Sequence, residues 1–432
     1  MKKCNLSLGE KIKAIRKARD ITQETLAFKI NYSRTALGDI ERGTDQCDMS
    51  TLIVIKQILG IQGMPLFEDE RKGFVDRLYL WNDMISEHNF ELAKQIQKEL
   101  SPIVHLPFEK ELNDLYSLFS SRLLLVDDKF ELATNILTKL AHTLDKANND
   151  IMFWFYYNNG TLAYCNKQYQ KALDFYTKAF KIMKGGFEEN KTLHYYIANC
   201  LSALGYFTNV VMFIDNYCNF NATEKKTDLD YMVDNLLAIN LIKWGYVKRA
   251  NKILSKSYIK AEADKNIHMI GHILHNMGYL YYSAKNWDTA LIYYDKVFDY
   301  CTKENLLYLQ NLYQKTRCLV EINAYAKYPP LIAEGKELSK ENEIFSVMFE
   351  SLKHLTTLNE ENSLNYIENE AIPYLSNKSV NDIVLDYCEL LRDHYQKNNS
   401  LIKSLKMAEM CGAYYKNAYE LGVVEWERKV LH

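Results

Sequence analysis

A small-residue pattern returns about every 40 residues between Trp81 and Ala290, and a constant period of that length leaves few folds open. Two positions define it. The first falls at Ser121, Gly160, Ala198, Ala238 and Gly278, the second at Ala93, Ala133, Ala172, Val210, Ala250 and Ala290. Gly160 precedes Ala172, and Gly278 precedes Ala290, by the same twelve residues, with an aromatic (Tyr169, Trp287) in between. Small residues let two helices cross closely and aromatics fill the holes beside the crossing, so the pattern predicts stacked helical hairpins. A chain of 432 residues exceeds the span of one ordinary core, but a stack grows by adding hairpins and escapes that limit. The expected fold is all-α.

Helix pairs are read at Phe74 to Ile85 with Phe90 to Leu100, and at Leu112 to Val126 with Phe130 to Leu144. Second helices follow at Lys171 to Met183, Val210 to Tyr217, Lys248 to Ser257 and Trp287 to Cys301. After Cys318 the register degrades, because Pro329-Pro330 falls where the second small site is due. Weaker hairpins from Leu352 to Ala371 and from Leu391 to Cys411 bring the total to about nine. Irregular ends are what capping repeats show.

Ahead of the repeats, Leu8, Ile12 and Ile15, then Leu26, Ala27 and Ile30, then Leu37 and Ile40 recur at helical spacing. Three short helices follow from this. Thr22 and Ser33 stand where N-caps belong, and Asn31 suits the left-handed turn between the second and third helices. Gly43 closes the third helix, and a fourth is expected from about Met49 to Leu59. Gly60, Gly63 and Pro65 mark a joint. The division expected is 1–62 for a small head, 63–72 for a linker and 73–432 for the repeats.

Charge separates these parts. Residues 1–60 carry eleven Lys or Arg against seven acids, net +4, which leaves −6 for the rest of a chain of net charge −2. A basic head on an acidic body points to a polyanion partner for the head alone. Nine cysteines are scattered without a CxxC, an odd total that fits free thiols in a reducing cytosol. The Met1-Lys2-Lys3 start leads into polar residues, and no apolar run approaches the ~18 residues of a membrane span, so a cytoplasmic protein with no membrane partner is expected.

The head resembles the phage-repressor (Xre-type) helix-turn-helix through Thr22-Gln23-Glu24-Thr25-Leu26-Ala27, Ser33-Arg34-Thr35-Ala36-Leu37 and Ile40-Glu41-Arg42-Gly43. The resemblance implies that Thr22 and Gln23 meet a phosphate, that Ser33 sits at the groove entrance, and that Arg34 and Thr35 face base edges in the major groove. Arg is the side chain best shaped to take guanine O6 and N7 together, which makes Arg34 the leading specificity residue. It also implies an architectural ion pair between Arg16 and Glu41. Two features depart from the pattern: the acidic loop Thr44-Asp45-Gln46-Cys47-Asp48, which repels phosphate, and Gly38 inside the recognition helix, at ~1 kcal/mol relative to Ala.

The repeats are similar to tetratricopeptide repeats, most closely at Asn276-Met277-Gly278-Tyr279 with Trp287, Ala290 and Tyr294, and at Asn158-Asn159-Gly160 with Tyr169, Ala172 and Tyr176. A right-handed superhelix is implied. Residues two before a first small site lie ~200° around the helix from it, on the side that faces the inner wall. That stripe holds Arg122; Trp154, Tyr157, Asn158 and Thr161; Tyr195, Tyr196 and Asn199; Asn235; and His272, His275, Asn276 and Tyr279. An amide donates and accepts at once, so a row of asparagines can bond the backbone of an extended peptide whatever its sequence, with aromatics forming side-chain pockets. The candidate peptide contacts are Arg122, Trp154, Asn158, Tyr195, Asn199, Asn235, His272, His275, Asn276 and Tyr279.

His268, His272 and His275 have a spacing that could seat a metal, but no local acid or Cys completes the set, and neither metal nor cofactor is expected. No nucleophile elbow, phosphate loop or paired-carboxylate motif offers catalysis a foothold. The domain order resembles the Rap-Rgg-NprR-PlcR-PrgX group of peptide-pheromone regulators, in length most of all the NprR and PlcR branches. That resemblance implies a homodimeric regulator of transcription that binds a short signalling oligopeptide on the repeats and a palindromic operator in double-stranded DNA. Its Rap branch implies an alternative, inhibition or dephosphorylation of a response-regulator protein. A third reading is a repeat scaffold whose head binds protein.

Overall fold

The computed structural model describes residues 6–62, 66–86, 89–101, 106–144, 148–184, 190–220, 227–357, 361–378 and 380–416. Among them the regular elements are all helical. The head holds α1 (Leu8–Ala18), α2 (Gln23–Lys29), α3 (Arg34–Arg42) and α4 (Met49–Ile58). Leu26, Leu37, Ile12 and Ile15 are fully buried between them.

Nine helical hairpins follow among the described residues. They are α5 (Glu68–Ser86) with α6 (Phe90–Leu100), α7 (Lys110–Val126) with α8 (Phe130–Ala141), and α9 (Asn149–Cys165) with α10 (Tyr169–Lys184). Next come α11 (Lys191–Ala203) with α12 (Phe207–Phe220), α13 (Asp228–Lys243) with α14 (Val247–Ala263), and α15 (Ile267–Ser283) with α16 (Trp287–Val297). The last are α17 (Leu306–Glu321) with α18 (Tyr328–Leu338), α19 (Glu343–Leu355) with α20 (Glu361–Tyr366), and α22 (Asn381–Lys397) with α23 (Leu401–Lys416). A π-helical turn, Ile367–Ala371, carries α20 on into α21 (Ile372–Asn377).

The small sites do what their spacing predicts. Ala93, Ala133, Ala172, Val210, Ala250 and Ala290 are all fully buried. A Cβ at Gly278 would overlap the ring of Tyr294, and one at Gly335 the ring of Phe349, so a glycine is required where these helices cross. The backbone repeats as faithfully. Asp128, Lys167, Gly205, Gly245, Lys285, Asn323 and Asn399 each close a hairpin turn in the left-handed conformation, with φ between 52° and 84°. Only two of the seven are glycine.

Two expectations need correction. Residues 68–72, read as linker, form the first turns of α5: Glu68, Asp69 and Glu70 place negative charge at a helix N-terminus, and Glu70 Oε2 accepts the amides of Leu66 (2.8 Å) and Phe67 (3.2 Å). Residues 63–65 of the expected joint lie outside the described residues. Pro329-Pro330 does not interrupt the repeat either, because both prolines stand in the first turn of α18, where the missing N–H would have no helical partner anyway.

The chain divides into two compact units. One comprises residues 1–166 with 178–188, and the other residues 167–177 with 189–432. In the first, Lys11 of the head is buried, donating to the carbonyl of Leu66 (2.7 Å), and Lys56 pairs with Glu70 at 2.9 Å. In the second, a continuous core runs from Leu312 and Tyr313 through Phe349, Ile367 and Leu375 to Tyr387 and Leu391.

Candidate functional site

In the head, the local sequence builds a presented helix end. Thr22 Oγ1 accepts the amide of Thr25 and Ser33 Oγ that of Ala36, both at 3.0 Å, so each hydroxyl caps an otherwise orphaned donor. Asn31 turns the chain between α2 and α3 with φ 60°. Ser33, Arg34 and Thr35 then stand exposed at the first turn of α3, and Thr22 is exposed before α2. Arg16 holds Glu41 by two bonds, Nε to Oε1 at 2.6 Å and Nη2 to Oε2 at 2.9 Å, forming the architectural pair.

Gln23 is partly committed to that network, since its Nε2 donates to Glu41 Oε2 at 3.0 Å and leaves one amide hydrogen for a phosphate. Gly38 has a reason here: a Cβ would come to 3.3 Å from both Gln23 Nε2 and Arg42 Nη1. In the acidic loop, Asp48 caps α4, accepting the amide of Thr51 (2.8 Å), and bonds from Ser50, Thr51 and Tyr32 hold its carboxyl far below the usual range.

The second unit contains a cavity of about 680 Å³ lined by the first helices of successive hairpins. Tyr195 and Asn199 come from α11, Asn235 from α13, and His272, His275, Asn276 and Tyr279 from α15. Seven of the ten residues chosen from the stripe therefore meet in one place. Asn235 and Asn276 are buried and bonded to each other, Asn276 Nδ2 donating to Asn235 Oδ1 at 2.7 Å. Asn199 Nδ2 donates to the Tyr195 hydroxyl (3.3 Å), and burial pushes that phenol up to about 12. His275 Nδ1 donates to Asn311 Oδ1 at 3.2 Å, which sets its tautomer. Burial, then the neighbouring His268 and His275, lower His272 to about 4, so it is a neutral donor-acceptor at ordinary pH.

Arg122, Trp154 and Asn158 are not in the cavity. They lie buried in the first unit, where a hydrogen-bonded aromatic plug occupies the stripe. Asn158 Nδ2 donates to the Leu118 carbonyl (2.7 Å) and to Ser121 Oγ (3.1 Å) on the preceding hairpin. Arg122 donates to the carbonyl and the side-chain oxygen of Asn82 and to Ser86 Oγ, and its guanidinium lies 5.4 Å from the ring of Trp154 and 5.2 Å from that of Tyr157. The expectation of an unbroken peptide-facing row of asparagines is corrected accordingly, because amides one period apart bond to neighbouring first helices.

The cavity also takes residues that the stripe missed: Gln310, Tyr313, Gln314 and Arg317 of α17, and Asp382 and Asp386 of α22. The first four stand 38 residues after His272, His275, Asn276 and Tyr279, so the stripe continues at a shorter period, with fully buried Thr316 as its small site. A period held at 40 pointed instead to Cys318. Gln314 Oε1 is enclosed and has no hydrogen-bond partner. Across the cavity, Arg317 Nη1 meets Asp386 Oδ2 at 2.7 Å and Lys243 Nζ meets Asp382 Oδ2 at 2.6 Å. Among the described residues no three His, Cys, Asp or Glu side chains converge as metal ligands would, and no helix is long and apolar enough to cross a membrane.

A helix-turn-helix family model matches residues 12–63. Over 402 residues the chain is 23% identical to the transcriptional activator NprA of Geobacillus stearothermophilus, spanning 88% of this chain and 97% of that one. Over 64 residues, 15% of this chain and 79% of the relative, it is 36% identical to the control protein C.BamHI of Bacillus amyloliquefaciens. Among solved structures, a Rap protein complexed with competence and sporulation factor superposes with a TM-score of 0.69 at 15% identity, covering 81% of this chain and 99% of that one. NprR in complex with its cognate peptide NprX gives 0.64 at 21% identity with the same coverage. These likenesses show a shared fold. With its helix-turn-helix head, its hairpin repeats and a match to NprA along both, the chain resembles the Rap-Rgg-NprR-PlcR-PrgX family.

Proposed function

We propose that the chain is a cytoplasmic, non-catalytic regulator of transcription, a homodimer whose heads read double-stranded DNA and whose repeats bind a short signalling peptide in the cavity of the second unit. One observation carries the reading: Tyr195, Asn199, Asn235, His272, His275, Asn276 and Tyr279 line a single cavity that offers amides, imidazoles and aromatic faces together. Those are the groups that bind a peptide backbone and hold its side chains. The enclosed, unpartnered Gln314 Oε1 adds an acceptor for a ligand N–H. NprA, a transcriptional activator, and NprR, solved with a cognate peptide, support the assignment.

Thr22, Gln23, Ser33, Arg34 and Thr35 form the DNA-reading surface, with Arg34 the base reader. Two such heads fit a palindrome only when their recognition helices stand about one helical turn of DNA, or a multiple, apart. A peptide then acts by preferring the repeat conformation in which they do, and its leverage is its differential affinity for the two states. The Rap-like alternative gives the exposed helix end of α3 no task.

The test is a salt-dependent electrophoretic shift of the full chain on a duplex selected from random sequence. Arg34→Ala is expected to weaken binding to the selected site by about ten- to a hundredfold while the melting temperature stays put. A wild-type chain that shifts no duplex at low salt would leave the head without this role.

A further inference from the structure

The cavity of the second unit carries more positive than negative charge, although residues 61–432 as a whole carry net −6. Four cations line it, Lys167, Lys243, Arg317 and Lys378, against two carboxylates, Asp382 and Asp386. Both carboxylates are already matched, Asp382 by Lys243 and Asp386 by Arg317. Lys167 and Lys378 are left over. Among the described residues no carboxylate lies within ion-pair reach of either, and Lys378 has only the face of the Tyr374 ring, 5.6 Å away. Burial, and then the charge of Lys378, hold the Lys167 ammonium below the usual lysine range.

Two like charges on one cavity wall with no counter-ion disfavour each other, and an anion placed between them relieves both. The chain itself shows which anion the cavity's cations take. Asp382 and Asp386, one turn apart on α22, reach in to meet Lys243 and Arg317, so the cations that have partners have carboxylates. The surrounding acidic body would by itself attract cations, and the cavity reverses that preference.

We infer that the occupant of the cavity is an acidic peptide, one of whose carboxylates is held between Lys167 and Lys378. This rests on the peptide-receptor reading and narrows it. The carboxylate can be an Asp or Glu side chain or the peptide's own C-terminus, and the chemistry at the two lysines is the same.

The experiment is affinity selection by the full chain from a random heptapeptide pool, supplied once with free and once with amidated C-termini and read by mass spectrometry. Enrichment of Asp and Glu over Lys and Arg in both pools assigns the seat to a side-chain carboxylate. Retention that drops about tenfold on amidation, without internal enrichment, assigns it to the C-terminus. In either case the effect should vanish in Lys167→Gln/Lys378→Gln and survive in Lys167→Arg/Lys378→Arg. Retention indifferent to acidic residues and to amidation, a preference for basic peptides, or an acidic preference that the Gln pair leaves intact would each overturn the inference while leaving a peptide receptor standing. A wild-type chain that retains no peptide from either pool would sink the receptor reading and this inference with it.

Discussion

The same stripe of positions has opposite fates in the two units. In the first, Trp154, Tyr157 and Arg122 are large enough to fill the space beside the first helices, and Asn158 spends its amide on the preceding hairpin. In the second, the matched positions hold His272 and Asn276, and they line a cavity. Helix geometry decides which residues share a face, whereas side-chain volume decides whether that face is a core or a binding wall. One repeat pattern can therefore supply rigid framework in one unit and a receptor in the next.

Position-matched truncations test that contrast most severely. Trp154→Ala removes a buried indole in edge contact with Phe119 (5.3 Å), Phe153 (5.0 Å) and Tyr157 (5.5 Å) and should cost about 3–5 kcal/mol in urea unfolding. His272→Ala, at the matched position, enlarges a cavity that already exists and should cost about 1 kcal/mol or less. Equal costs would mean that the second wall is as tightly packed as the first.

The asparagines sharpen the comparison at smaller magnitude. Asn158→Ala removes the buried amide that bonds both the Leu118 carbonyl and Ser121 Oγ, leaving that carbonyl the Ser121 hydroxyl as its side-chain donor, and should lower stability by about 1–3 kcal/mol, with retained-peptide affinity unchanged. Asn276→Ala loses one bond, to Asn235, and should cost about 1 kcal/mol while weakening peptide retention severalfold. Peptide titration of the two variants side by side reads the difference, and a ligand effect on Asn158→Ala with none on Asn276→Ala would reverse the assignment of the two walls.

The physics explains what could be read in advance. Small residues at a constant period record helix crossings, because a Cβ at Gly278 has no room, and the capping hydroxyls of Thr22 and Ser33 are local events that sequence spacing reveals. The wall was legible as a face but not as a cavity, since whether Asn158 meets a ligand or the Leu118 carbonyl depends on a neighbour 40 residues away. Gln314 and Arg317 were hidden by a period that shortens to 38, and Asp382 and Asp386 because they enter from α22, outside the repeat that defined the stripe. Five of the seven left-handed turn residues are Asp, Lys or Asn, which leave no glycine signal in the sequence.

The smallest difference between the walls is in their response to acid. No histidine stands on the first wall among the positions named, whereas the second has His272 depressed to about 4 by burial, His268 and His275. An unfolded histidine binds its proton near pH 6.5, so between about pH 6.5 and 4 the unfolded chain takes up a proton that the fold refuses. His272 therefore contributes stability that is complete above pH 6.5 and declines as the pH falls toward 4. Because the side chain still meets some solvent at the cavity wall, the loss by pH 5 should be only about 1 kcal/mol relative to His272→Gln, which has no proton to gain. Paired urea titrations of wild type and variant at pH 7 and pH 5 isolate it, since carboxylate protonation elsewhere is common to both. Parallel losses in the two proteins would mean that His272 titrates normally and that the wall is open enough to solvate its charge.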